Sequence, residues 1–121
     1  MPNEHTHLSI RNSGGVRLVQ FSERKILDEL AITEIGDELT QLVNSVDGIK
    51  LLLSFKNVEH LSSAALGVLI TLNRKVAEKN GQLRLADISP QIFEVFKITR
   101  LNKLFTIFPT TQDALASFEG A

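Results

Sequence analysis

Two adjacent hydroxyls, Ser62 and Ser63, stand where an apolar run gives way to a strongly periodic segment, and their surroundings decide what chemistry they can do. A nucleophilic serine needs a base and a turn free of crowding, and the strand-to-helix elbow of hydrolases meets the second need with glycine two positions to either side. Here Ser63 has Leu61 and Ala65 at that spacing, and Ser62 has His60 and Ala64. The three histidines are His5, His7 and His60. The first two fall in a terminus expected to fray, and His60 reads as a surface loop residue with no acid marked to orient it. No enzyme is expected, and an acyl hydrolase is the most distant reading. The alternative chemistry is phosphate acceptance. The first turn of a helix leaves backbone N–H groups without intrahelical partners and carries partial positive charge, so a phosphate on Ser62 or Ser63 would be locally favoured.

Other groupings point to structure. His5-x-His7 supplies two ligands with no third or fourth, and the absence of cysteine removes thiolate sites and disulfides. Gly14-Gly15 lacks the lysine and spacing of a phosphate-binding loop and suits a hairpin. Phe93, Phe96, Phe105 and Phe108 recur at core spacing, and Asp28 and Glu29 are suited to capping and solvating a helix rather than to holding Mg²⁺. No cofactor or metal is expected.

The elements that must position the serines follow from periodicity. Leu8–Asn12 and Val16–Phe21 are strands joined through Ser13-Gly14-Gly15, an antiparallel hairpin. Ser22–Leu30 reads as a loop that dips an apolar corner, Ile26-Leu27, into the core before Asp28 or a neighbour caps a helix. In that helix Ile32, Ile35, Leu39, Leu42, Val43 and Val46 face inward. Asp47-Gly48 ends it. Ile49–Phe55 is apolar on both faces, as a central parallel strand is, and Lys56–Leu61 is a loop. A second helix runs from about Ser63 to Lys79, its packing set including Ala65, Leu66, Leu69, Ile70, Leu72, Val76 and Ala77, and Asn80-Gly81 closes it. Gln82–Ala86 is a strand. Ser89-Pro90 opens a helix with Ile92, Phe93, Phe96 and Ile98 inward, Leu104–Phe108 is a last strand, and Thr110 or Thr111 starts a final helix with Asp113 placed for capping. The alternation predicts an α/β fold: one domain with a mixed, mostly parallel sheet, an N-terminal β-hairpin and about four helices. Residues 1–7 are expected to be a flexible N-terminus and residues 8–118 the domain.

Composition agrees with a soluble globular chain, at 43% hydrophobic and 22% charged residues with a net charge of −1. No apolar run approaches the ~20 residues that span a bilayer, and the polar start has no secretion-signal core. A cytoplasmic location without membrane association is expected. Direct nucleic-acid binding has no support, since there is no dense basic patch and no Trp or Tyr to stack on bases.

Four stretches, Leu51-Leu-Leu-Ser-Phe55, Leu61-Ser-Ser-Ala-Ala-Leu-Gly67, Lys79-Asn-Gly-Gln-Leu-Arg-Leu-Ala-Asp-Ile-Ser-Pro90 and Thr99-Arg-Leu-Asn-Lys-Leu-Phe105, occur in the order and spacing of the STAS domain. With Leu27-Asp28 ahead of the first helix, the chain resembles the stand-alone anti-sigma factor antagonists of that family from about Leu8 to Phe118. The resemblance implies a partner switch rather than an enzyme: the unphosphorylated protein binds an anti-sigma factor that is also a serine kinase, and phosphorylation releases it. In the family motif Asp-Ser-Ser/Thr-Gly-Leu-Gly, the Asp position is Ser62, the phosphorylated serine is Ser63, the next is Ala64, the glycine is Ala65, and Leu66 and Gly67 match. Ser62 becomes the modified residue if the alignment shifts by one. The implied partner-binding edge comprises Leu27, Asp28, Glu29, Ser62, Ser63, Ala64 and Leu66, with Ser62 as helix cap. A second reading is a STAS scaffold or docking module that does not switch.

Overall fold

The computed structural model describes residues 7–119; the expected flexible segment, apart from His7, lies outside them. Two strands, β1 (Leu8–Ser13) and β2 (Val16–Phe21), pair antiparallel across Gly14 and Gly15, both at positive φ. The remaining main strands, β4 (Lys50–Ser54), β6 (Gln82–Ala86) and β7 (Thr106–Phe108), join in parallel to give the order β1-β2-β4-β6-β7. β1 and β7 form the edges. The apolar run of β4 lies at the centre because it is covered on both sides. Leu51 and Leu53 belong to one core with helices α1 (Glu29–Ser45), α2 (Ser63–Glu78) and α3 (Pro90–Ile98). Leu52 belongs to another, with Val16, Leu18, Ala86 and, from α4 (Thr111–Glu119), Ala114 and Phe118.

The expected architecture is present, with local departures. The two loops on either side of α1 and β4 each contain a two-residue strand, β3 (Lys25–Ile26) and β5 (His60–Leu61), which pair in parallel as a separate small sheet. At the apolar corner only Ile26 is buried, while Leu27 is 50% exposed. The last strand begins at Thr106 rather than Leu104, because Leu101–Lys103 winds into a 3-10 turn entered through Arg100 at φ 65°. That turn leaves Leu104 exposed and sends Phe105 inward against Phe96, ring centroids 5.9 Å apart. Ile70, Ala77 and Ile98 point outward instead of packing. The α4 start is capped by Thr110, whose hydroxyl accepts from the Asp113 amide at 3.0 Å.

Asn80 and Gly81 divide the work of closing α2. Asn80 takes the left-handed conformation at φ 60°, and the Gly81 amide reaches back to the Val76 carbonyl at 2.9 Å. Gly81 is required by proximity, since a Cβ there would stand 2.6 Å from the Ile49 carbonyl oxygen. That oxygen belongs to backbone at the entry to β4, so relief requires moving the strand. Gly81→Ala is expected to lower stability by about 1–3 kcal/mol. Gly67→Ala, whose Cβ meets nothing within 4 Å on an exposed helix position, is expected to be neutral or stabilising by up to ~1 kcal/mol. Urea unfolding of the pair checks this, and equal midpoints would show that β4 yields without cost.

Candidate functional site

The serines are positioned by β5 on one side and α2 on the other. Ser62 has extended backbone (φ −84°, ψ 166°) and its Oγ accepts from the Ala65 amide at 3.2 Å, so it is the N-cap of α2. Removing that bond costs ~1 kcal/mol. Ser63 is the first helical residue and is exposed, as is Ala64. Its amide and that of Ala64 precede the first intrahelical bond, which runs from the Leu66 amide to the Ser62 carbonyl at 3.1 Å. Ala65 and Leu66 are buried, at 5% and 7% exposure.

The small sheet brings the second set of residues beside them. Lys25 pairs with His60 and Ile26 with Leu61, and the Ser62 amide donates to the Ile26 carbonyl at 3.1 Å. The ladder therefore runs out of β3 into Leu27-Asp28 and out of β5 into Ser62-Ser63, side by side. Asp28 caps α1, its carboxylate accepting from the Ala31 amide at 3.0 Å, so two helix N-termini open at one edge. Leu27 and Leu30, 50% and 66% exposed, add apolar surface there, and Glu29 is exposed. Every residue of the edge expected from sequence is thus brought together: Leu27, Asp28, Glu29, Ser62, Ser63 and Ala64 at the surface, Leu66 beneath. The exposed Leu30 and the ladder itself are not among the sequence expectations; Ile26 and Leu61, each apolar directly after a basic residue type, are the sequence features that occupy the ladder.

What the edge can do chemically is limited by what surrounds it. Among the described residues neither serine hydroxyl is hydrogen-bonded to His60, which is exposed on β5. A small apolar pocket of about 10 Å³, at the lower limit for one water, is lined by Phe21, Ile26, Phe55, Leu61 and Ala65. A shallow groove of about 100 Å³ lies between β5 and α3, bordered by His60, Leu66, Gln91 and Val95. Across the ladder Arg24 and Glu59 form an exposed ion pair at 3.6 Å, which contributes little by itself. No group of three or more His, Cys, Asp or Glu that could hold a metal occurs among the described residues. Nor is any described helix long and apolar enough to cross a membrane.

His7 departs from its expected place in a frayed terminus. It is 7% exposed, with Nδ1 2.6 Å from Glu23 and Nε2 2.6 Å from Glu34, and its carbonyl accepts from the Ser22 amide at 2.9 Å. Burial lowers its pKa, but the hydrogen bonds to Glu34 and Glu23 and their negative charge outweigh burial, and the net shift is upward from 6.5. His5, the other histidine of the His5-x-His7 pair, lies outside the described residues.

The family model for the STAS domain matches residues 7–114, which includes both helix N-termini and every main strand. The chain belongs to the STAS domain family. A curated relative, the anti-sigma F factor antagonist of Paenibacillus polymyxa, is 21% identical over 112 residues, covering 93% of this chain and 94% of that protein. Among solved structures, an anti-sigma-factor antagonist (STAS) domain protein from Planctomyces limnophilus superposes with a TM-score of 0.81 at 19% identity, over 91% of this chain and 96% of that one. The anti-sigma factor antagonist SpoIIAA in its unphosphorylated form gives 0.71 at 15% identity, over 94% and 99%. Within this STAS domain the N-terminus of α2 is capped by the Ser62 hydroxyl, which accepts from the Ala65 amide.

Proposed function

We propose that this STAS domain is an anti-sigma factor antagonist of the bacterial cytoplasm that works by partner switching. Unphosphorylated, it binds an anti-sigma factor that is also a serine kinase, through the edge formed by Leu27–Leu30 and Ser62–Ala64. The observation that carries this reading is the division between the serines. Ser62 is committed to capping α2, while Ser63 is exposed at the first helical position, with an apolar rim next to it on the ladder. The printed names of the relatives support the role, and the SpoIIAA structure's being an unphosphorylated form supports modification as the control. A phosphate adds about −1.5 to −2 charges. Placed at the N-terminus of α2 it is compatible with the fold, so release must arise at the interface, where that charge meets desolvation or like charge. With Ser62 in place of the motif's aspartate, the kinase has one carboxylate fewer to read and the phosphate one repulsive neighbour fewer.

Incubation with ATP and candidate serine kinases of the anti-sigma type, followed by intact-mass measurement and site mapping, tests the proposal. One phosphate on Ser63, with loss of kinase capture, is the expected result. A phosphate confined to Ser62 would move the switch by one residue. A protein that captures such kinases yet keeps its unmodified mass would be a docking module without a switch.

A further inference from the structure

His7 makes no contribution to the partner edge as described, yet both of its ring nitrogens are engaged. Its two ring nitrogens reach carboxylates on different elements, Glu23 in the segment between β2 and β3 and Glu34 in α1, each at 2.6 Å. A neutral imidazole has one N–H, so one nitrogen would face a carboxylate oxygen with lone pair against lone pair. Both contacts are favourable together only when the ring is the imidazolium, which donates twice to ionised acceptors. The nitrogens diverge, so the two carboxylates cannot join the ring on one metal ion, and the site takes a proton.

The two anchored residues bracket the rim. Glu23 directly precedes Arg24, whose carbonyl accepts the Glu59 and His60 amides at 2.6 and 3.1 Å, and β3 and the Asp28 cap follow. Glu34 lies beyond that cap on α1. The His7 carbonyl, bonded to the Ser22 amide, fixes the ring's own backbone to the end of β2. We infer that His7 is a proton-operated clamp: as imidazolium it fastens both ends of the 24–33 segment, which carries the Leu27–Asp28 rim and the ladder to Ser62, and on losing its proton it releases one end.

Among the described residues the charged groups facing the ring are Glu23 from the β2–β3 segment and Glu34 from α1, with Glu38 one turn farther along α1. Neither facing carboxylate is deeply buried, at 35% and 48% side-chain exposure, so the clamp is in contact with solvent protons. Because the folded-state value lies above the ordinary 6.5, the clamp's contribution is complete below pH 6.5 and is lost as pH rises through the folded-state value. Within this span the protein loosens with alkali. That the loosened segment faces a partner rests on the function proposed above; the clamp itself is a property of the isolated chain, and the two fail separately.

The test uses the isolated protein, with the His7 ring resonances followed by NMR from pH 5 to 9, and wild type compared with His7→Gln and Glu34→Gln. In wild type, His7 is expected to titrate above 6.5, and in Glu34→Gln its midpoint is expected to fall towards the ordinary value. Hydrogen exchange at the Glu59, His60 and Ser62 amides, corrected for intrinsic pH dependence, should accelerate by about tenfold in wild type across the His7 transition. In His7→Gln it should be fast throughout. The melting temperature of wild type should fall relative to His7→Gln by about 3–6 °C over the same transition. A His7 midpoint at or below 6.5 in wild type would overturn the clamp. So would amides whose protection ignores the transition, and both readouts in wild type stand even if a variant does not fold.

Discussion

Ser63→Asp is expected to fold at least as well as the wild type and to lose its partner. Ser63 occupies the first position of α2, with its side chain exposed and its amide ahead of the first intrahelical bond. A carboxylate there faces the positive end of the helix and is worth roughly 0.3–1 kcal/mol to the isolated domain. At the proposed interface the same charge would be desolvated beside Leu27 and Leu30, and an unpaired buried charge costs about 2–5 kcal/mol. Affinity should therefore drop about 30-fold or more while the melting temperature holds or rises. Ser63→Ala removes only a hydroxyl that caps nothing, so it should fold, bind and stay bound in the presence of ATP. Calorimetry with the purified kinase and thermal melts of the three proteins provide the comparison. An aspartate variant that binds as tightly as wild type would place the switch elsewhere. One that fails to bind because it melts early would mean that the fold rather than the interface is the target.

Phe55→Ala should produce the largest loss of stability among single substitutions near the site. Phe55 is 1% exposed, and its ring stands 5.0 Å from that of Phe21. Its amide extends the sheet by donating to the Ala86 carbonyl at 3.0 Å, and its carbonyl receives the Val58 amide as the chain turns towards β5. The ring also lines the small apolar pocket beneath the β3–β5 ladder, so truncation would merge the vacated volume with space already present and leave few neighbours able to close it. Phe-to-Ala changes in such cores cost about 3–5 kcal/mol. Against a total stability of about 5–15 kcal/mol, that should lower the melting temperature by roughly 10–20 °C. Denaturant unfolding gives the value directly, and a loss below ~1 kcal/mol would mean that α1 and α2 collapse onto the vacancy.

The parts of this molecule legible in sequence are those set by long periodic patterns or by residue types with one dominant use. The heptad-like spacing from Ile32 to Val43 placed α1, the unbroken Leu51-Leu52-Leu53 placed the central strand, and Ser62, Asp28 and Ser89 were recognisable as caps because each precedes an apolar helix face. The small sheet was not legible, since two residues are too few to establish an alternation, and its pairing joins segments over thirty positions apart. His7 was misplaced for a related reason. Its burial depends on two carboxylates supplied by other elements, and nothing in Met1–His7 itself carries that information. Hydrophobicity alone points Ile70, Ala77 and Ile98 inward, whereas the helices bury a narrower face than their apolar content suggests.

The strand order has a consequence for how this protein behaves in a crowded solution. A five-stranded sheet has two unpaired margins, each a potential template for another chain. One margin, β7, is three residues long and is stopped by Pro109, which has no amide to offer. The other, β1, is longer but carries Arg11 and Asn12 in the open, and a neighbour docking there would have to desolvate the guanidinium. Growth by strand addition is therefore disfavoured at both margins of the main sheet, which leaves its helical surfaces and helix N-termini as the faces better suited to docking.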